Sequence, residues 1–208
     1  MVATRAWYLG FAAAKHKVFV SDGSSTIETL QETHFSNSSS VLDLLHGLGY
    51  SMHVARATTS DESNTAKQYN HWAGLIWQGK VDEVIKEFDS LQKLHGDPPP
   101  GCRDEDIREV IRVTRVYYTN HQHRMNYSAY RHLGFPLTSS LMESTVKQIN
   151  HRVKGSEKYW STAGGESILR LRADYLSDDE PMKALWKSLH REATGFRTYR
   201  SEHAGTAS

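Results

Sequence analysis

The stretch Lys17-Val18-Phe19-Val20-Ser21-Asp22-Gly23 decides the fold class of this chain. Its β-branched and aromatic residues predict a buried strand, and the Asp-Gly pair predicts a turn directly after it. Ser24 or Ser25 then caps a predicted helix over Thr26–His34, and Ser40–Leu45 forms a second predicted strand. A strand, a helix and a strand with short connections predict a βαβ unit, in which the two strands are parallel and the crossover is right-handed. The fold class expected from this stretch is therefore α/β.

Downstream of this unit, the sequence changes from strand periodicity to helix periodicity. Apolar residues recur at helical spacing within 47–95, a break rich in Gly and Pro follows at 96–101, and a further helix is predicted over 104–120. Ser139 or Ser140 caps another predicted helix, which contains Glu143. The tail has no periodicity and is expected to be disordered. The expected division is an N-terminal segment (1–16), the strands and their helix (17–46), a helical insertion (47–136), the Glu-bearing helix with further C-terminal helices (137–193) and the tail (194–208).

Composition excludes several classes of protein. The single cysteine among 208 residues excludes an intramolecular disulfide and a cysteine-based zinc site. No apolar run approaches the roughly 20 residues of a membrane-spanning helix, so a cytoplasmic protein with no membrane partner is expected. The 25 basic and 24 acidic residues nearly cancel, but acids concentrate in 61–109 and bases in 112–158. That basic zone fits phosphate contacts, and it also fits an ordinary solvated face.

Three acidic positions are candidates for chemistry, and each has a structural alternative. Asp22 ends the first predicted strand, where α/β sheets place ligands, but Asp-Gly is also a common turn pair. Asp43 and His46 follow the second strand; the carboxylate can orient the imidazole, or the two can be a cap and a satisfied histidine. Glu143 lies one turn into its helix, four residues before a lysine, which is also the spacing of a surface ion pair. A further polar tract has no other ligand near it in sequence and is interpreted as a helix end: Asn120, His121 and His123.

Three blocks, in order, resemble the transposases of bacterial insertion sequences of the ISKra4 type, which are related to the Mutator-like group. Val18–Ser24 resembles the strand that ends in the family's second catalytic aspartate. Val41–His46 resembles the family's Asp-x-x-His block. Leu137–Trp160 is similar to the block around the catalytic glutamate, and Leu169–Asp179 continues that similarity. The resemblance covers about residues 17 to 190.

The resemblance implies a DDE-type transposase with a partial RNase H-like fold, interrupted by a mostly helical insertion. It implies that Asp22 and Glu143 bind Mg²⁺ or Mn²⁺, for which carboxylate oxygens are suitable ligands, and that Asp43 and His46 belong to the catalytic site. The reaction would be metal-dependent DNA cleavage followed by attack of the freed 3′-OH on target DNA. The implied partners are transposon-end and target DNA, other copies of the chain in the full-length family, and the bacterial nucleoid. Four bases after the glutamate are candidates for phosphate contacts: Lys147, Arg152, Lys154 and Lys158.

The chain departs from the family at one position that matters for catalysis. The family's first catalytic aspartate lies on an earlier strand, and residues 1–16 contain no Asp or Glu. Without that acid we expect weak metal binding and no DNA cleavage by this chain alone, as in a truncated copy. The alternative expectation is a non-catalytic DNA-binding or dimerising product that regulates a full-length transposase. A different RNase H-like nuclease with its first acid replaced is a third possibility, against which the similarity around Glu143 argues.

Overall fold

The computed structural model describes residues 2–155, 157–177 and 180–192. The chain divides into two compact units, Met1–Ser139 and Ser140–Ser208. The disordered tail expected at 194–208 lies outside the described residues.

The first unit contains a short two-stranded sheet and seven described helices. Single 3₁₀ turns at Phe11–Ala13 and Gln122–Arg124 join some of them. In chain order the elements are α1 (Val2–Tyr8), β1 (Val18–Ser21), α2 (Ser25–His34), β2 (Ser39–Leu42), α3 (Leu44–Thr58), α4 (Glu62–Trp77), α5 (Val81–His95), α6 (Ile107–His121) and α7 (Tyr127–His132).

The predicted βαβ unit is present, with β1 and β2 paired in parallel. Val18 lies opposite Ser39, and Ser21 lies opposite Leu42. Helix α2 connects the strands, and its last turn leads into the buried Phe35, whose ring lies 5.5 Å from that of Phe19. The small parallel sheet among many helices agrees with a mixed α/β class.

One local expectation was wrong, and one element was not predicted. The second strand was predicted to extend to Leu45, but β2 ends at Leu42 because the side chain of Asp43 caps a helix that begins at Leu44. An N-cap side chain satisfies free N–H groups of the first turn, and this favours helix over continued strand. Residues 1–14 show no clear pattern in the sequence, yet α1 forms at Val2–Tyr8.

Tyrosine hydroxyls close the outer edge of β2. The Tyr130 hydroxyl donates to the Ser40 carbonyl at 3.3 Å, and the buried Tyr127 hydroxyl donates to the Leu42 carbonyl at 3.1 Å. Both carbonyls point away from β1, because β2 uses alternate residues to pair with it. Helix α7 therefore takes the place of a third strand on this side of the sheet.

The core of the first unit lies mainly between helices. The fully buried rings of Trp72, Phe88 and Tyr118 form a chain of edge-to-face contacts that joins α4, α5 and α6, with centroids 4.9 and 5.4 Å apart. The Tyr118 hydroxyl donates to the carbonyl of Gly47 in α3 at 2.8 Å. Aromatic pairs of this geometry add to the stabilisation from burial alone. The helices thus form a rigid support for the sheet edge.

The second unit contains three described helices and no buried residue among its described positions. They are α8 (Ser140–Val153), α9 (Thr162–Leu176) and α10 (Pro181–Glu192). Helix α8 begins at Ser140, directly after Ser139; these are the two serines considered as its cap.

Candidate functional site at the carboxyl edge of the sheet

Asp22 directly follows β1 and lies on an exposed turn, where hydrogen bonds hold both its side chain and its backbone. Its Oδ1 accepts a hydrogen bond from the Ser24 N–H at 3.0 Å, and its carbonyl accepts one from the Tyr117 hydroxyl at 2.7 Å. The Tyr117 ring stacks on Tyr50 with centroids 3.9 Å apart, and this fixes the hydroxyl in place. Among the described residues nothing donates to Oδ2 of Asp22, so this oxygen is free to accept a ligand.

Gly23 shapes this turn. Its φ of 83° lies in the left-handed region, which glycine adopts without strain. A Cβ at this position would lie 2.9 Å from Nε2 of His121 and 3.1 Å from a methyl group of Leu42. The backbone at the turn therefore approaches α6 more closely than any other residue type would allow.

Asp43 follows β2 at the same edge, but its carboxylate is fully engaged in holding the fold. Oδ1 accepts from the N–H groups of Leu45 and His46 at 2.8 and 3.1 Å. Oδ2 accepts from the N–H and the hydroxyl of Ser139 at 2.6 and 2.5 Å. Burial alone would raise the pKa of Asp43, but the hydrogen bonds, first those from Ser139, outweigh it and lower the pKa. The ionised side chain thus joins the start of α3 to the end of the first unit.

His46 lies in the first turn of α3 with its ring exposed to solvent. Its Nδ1 is 3.9 Å from Oδ1 of Asp43, which is too long for a hydrogen bond. The Asp-x-x-His pair predicted from the sequence is therefore adjacent, but the carboxylate does not fix the imidazole tautomer in this structure.

The other candidate residues lie in the second unit. Glu143 is half-buried in the first turn of α8, where its charge suits the helix dipole. The four bases proposed to contact DNA are exposed. Two of them, Lys147 and Arg152, lie on α8, while Lys154 and Lys158 follow it. The Lys158 ammonium donates to the His151 carbonyl at 2.8 Å and leaves its remaining donors to solvent.

A buried charged cluster beside Asp22 was not predicted from the sequence. Arg124 is only 2% exposed, and its guanidinium donates to Glu28 at 2.5 Å and to the Ser21 hydroxyl at 2.6 Å. His121 is 8% exposed, with Nδ1 3.2 Å from the same Glu28 oxygen. Burial lowers the pKa of His121; the Glu28 charge opposes this and the Arg124 charge adds to it. No sequence motif indicates this cluster, because Glu28 and Arg124 are 96 residues apart.

An open cleft of about 800 Å³ adjoins this cluster. Its walls include the turn after β1, α2 and the end of α6, and most of the lining residues have polar side chains. The lining includes the three residues of the cluster together with Gly23, Ser25 and Gln31.

Asp22 has the carboxylate at this edge that fits a divalent cation. Mg²⁺ and Mn²⁺ prefer carboxylate oxygens, and Asp22 offers a free one on an exposed turn at the carboxyl end of a parallel strand. Asp43 does not fit in the same way, since each of its oxygens already accepts two hydrogen bonds.

Comparisons with known proteins give no relative for this chain: no protein-family model, no curated protein and no solved structure matches it. Among the described residues, no helix is both long and apolar enough to cross a membrane.

Proposed function

We propose that this chain is the glutamate-bearing part of a DDE-type insertion-sequence transposase, acting on DNA with Mg²⁺ or Mn²⁺. The observation that carries the proposal is the free carboxylate oxygen of Asp22 at the carboxyl end of a parallel strand. The three ordered sequence blocks support it, as does the sequence of elements: a βαβ unit, five helices and then the helix that bears Glu143. The RNase H-like fold is part of this proposal.

Each candidate residue has a distinct role in the proposed chemistry. By the resemblance, Asp22 and Glu143 would be ligands of the divalent ion, each offering a carboxylate oxygen. When bound, that ion stabilises charge on the attacking and leaving oxygens of a phosphodiester. Asp43 is a positioning residue, because it fixes the start of α3 and hence His46 at the same edge. The exposed bases Lys147, Arg152, Lys154 and Lys158 contact backbone phosphates, which sets position rather than sequence preference.

Manganese binding at Asp22 tests the proposal. We expect Mn²⁺ to broaden the backbone amide NMR signals of Gly23 and Ser24 selectively, because a bound paramagnetic ion relaxes nearby protons. The variant Asp22→Asn should abolish this broadening while it keeps the turn, since an asparagine Oδ1 still accepts from the Ser24 N–H. Asp61→Asn is the matched control, because Asp61 is also an exposed acid, and its Oδ1 accepts a backbone N–H at the start of α4.

Two results would contradict the proposal. One is the absence of selective broadening at millimolar Mn²⁺; the other is equal broadening in Asp22→Asn. DNA cleavage itself is not expected of the 208-residue chain, because no Asp or Glu precedes Asp22. Cleavage that depends on Asp22 would support the transposase but refute the requirement for a further acid.

The alternative is a non-catalytic DNA-binding chain that regulates a full-length transposase. The exposure of all four candidate bases favours it. Anisotropy of labelled duplex DNA at several salt concentrations distinguishes the two functions. The alternative predicts DNA binding that is independent of metal and unchanged in Asp22→Asn. The slope of the logarithm of the binding constant against the logarithm of salt concentration should fall by about one unit for each phosphate contact removed, for example in Arg152→Gln.

A further inference from the structure

One face of α6 contacts the turn that carries Asp22. Tyr117 and His121 lie on α6, and Arg124 ends the 3₁₀ turn that follows it. Their spacing of four and then three residues places the three side chains on the same side of the helix. Each of them contacts a different one of three consecutive residues, Ser21–Gly23, so the end of β1 and the turn after it lie against a single helix face.

Arg124 joins the two elements that the turn connects. Its Nη2 donates to the hydroxyl of Ser21, the last residue of β1, at 2.6 Å, and its Nη1 donates to Glu28 in the first turn of α2 at 2.5 Å. Arg124 and Ser21 are both buried, and a hydrogen bond away from water is stronger than an exposed one. One guanidinium therefore fixes the distance between the end of the strand and the start of the helix.

Tyr117 and His121 hold the backbone of the turn between those elements. The Tyr117 hydroxyl donates to the Asp22 carbonyl at 2.7 Å. The His121 ring lies against Gly23, where a Cβ would come within 2.9 Å of Nε2. The two rings are in edge-to-face contact with centroids 4.7 Å apart, so each limits the movement of the other. Because Oδ1 of Asp22 is bound to the Ser24 N–H, the direction of the free Oδ2 follows the backbone that these rings hold.

We propose that Tyr117, His121 and Arg124 are positioning residues, which hold the Asp22 carboxylate in the direction that a divalent ion requires. This inference rests on the proposed function of Asp22 as a metal ligand. A carboxylate that is already ordered loses less conformational freedom when the ion binds, so the ion binds more tightly. The geometry of a binding site must be held to within about 0.5 Å, and α6 provides this support from the helical insertion.

The hydroxyl of Tyr117 is the contact that can be removed with the least other change. Tyr117→Phe keeps the ring that stacks on Tyr50 and deletes only the hydrogen bond to Asp22. We expect the dissociation constant of Mn²⁺, titrated through the broadening of the amide signals of the turn, to rise about 2- to 10-fold, the effect of losing one hydrogen bond. Ser21→Ala removes an acceptor of Arg124 and should raise this constant as well.

The neighbouring Tyr118 separates positioning from general stability. Tyr118→Phe, the matched control, deletes a hydrogen bond of similar length, 2.8 Å to the carbonyl of Gly47 in α3. It should lower the midpoint of thermal unfolding and leave the dissociation constant of Mn²⁺ unchanged, since this bond does not involve the turn. Circular dichroism verifies that each variant folds.

The exchange of the Ser24 amide proton with solvent reports on the turn without any metal. This N–H donates to Oδ1 of Asp22, and it should exchange faster in Tyr117→Phe than in the wild type. Tyr118→Phe should exchange at the wild-type rate, because an exposed turn opens locally and not by unfolding of the whole chain.

The outcomes for α6 and for the metal site can be told apart. An unchanged Ser24 exchange rate in Tyr117→Phe overturns this inference whether or not Mn²⁺ binds. Where the wild type binds Mn²⁺, an unchanged affinity in Tyr117→Phe, or an equal loss in Tyr118→Phe, also overturns it. A wild type that binds no Mn²⁺ refutes the role of Asp22 as a ligand instead, while faster Ser24 exchange in Tyr117→Phe still supports the hold of α6 on the turn.

Discussion

At the scale of single residues, one carboxylate faces a buried cation and a buried imidazole. Glu28 accepts from Arg124, which is almost completely buried, and lies 3.2 Å from the His121 ring. Burial lowers the pKa of His121; the Glu28 charge opposes this, and the permanent charge of Arg124 adds to it. The buried imidazole therefore favours its neutral form.

This arrangement predicts a pH-dependent stability. The pKa of His121 is lowered from 6.5 in the folded chain. At pH values between the folded and the unfolded pKa of this histidine, the folded chain therefore binds fewer protons than the unfolded chain. Stability should therefore fall as the pH drops below about 6.5, since protons then favour the unfolded state. Urea unfolding midpoints at successive pH values measure this effect. The titratable and charged groups that face His121 include Glu28, Arg124, His123 and Tyr117, whose ring centroid lies 4.7 Å from that of His121.

Substitution isolates the contribution of the buried histidine. His121→Gln should flatten the slope of stability against pH in this window, whereas His123→Gln, at an exposed neighbouring position, should not. Asp43 acts at lower pH, because its folded pKa is lowered from 3.8 and its stabilisation is lost only as the pH falls below that value. An unchanged slope in His121→Gln would refute the assignment to His121.

At the scale of elements, the turn between β1 and α2 depends on Gly23. An alanine at this position has two costs: the left-handed backbone, about 1–2 kcal/mol, and the overlap with His121 and Leu42, about 1–3 kcal/mol. Gly134 has a similar φ of 70°, but a Cβ there would meet no atom within 4 Å. Gly23→Ala should therefore destabilise the chain clearly more than Gly134→Ala in chemical denaturation. Equal losses would show that the turn moves freely away from α6.

The elements themselves were largely predictable from local sequence, and their ends were less so. The run Val18–Val20 and the apolar periodicity of α5 and α6 identify a strand and two helices, because both patterns reflect which side of an element is buried. The end of β2 was misplaced because Leu44 and Leu45 suit a strand as well as a helix, and the Asp43 cap decides between them. The contacts that build the site, such as Asp43 with Ser139, join residues 96 positions apart and leave no local pattern.

At the scale of the whole molecule, the two units differ in the number of side chains that they bury. Helices α6 and α9 both have 15 residues, but α6 has four buried side chains and α9 has none. Local opening of a helix costs least where few apolar side chains are buried. Hydrogen exchange followed by mass spectrometry should therefore show slow exchange in α6 and fast exchange in α9. Equal protection of the two helices would contradict this expectation.

The tyrosine hydroxyls that close β2 have a consequence for the order of folding. Tyr127 and Tyr130 reach back 85 and 90 residues to carbonyls of β2, and Tyr117 reaches back 95 residues to Asp22. Contacts at such separation form late, because a long loop must close before they contribute. The helices between the strands and these tyrosines also pack against their sequence neighbours, as Trp72 of α4 does against Phe88 of α5. The segment from β1 to β2 is thus completed by residues about ninety positions later in the chain, and until these are in place β2 lacks the hydroxyls that close its outer edge.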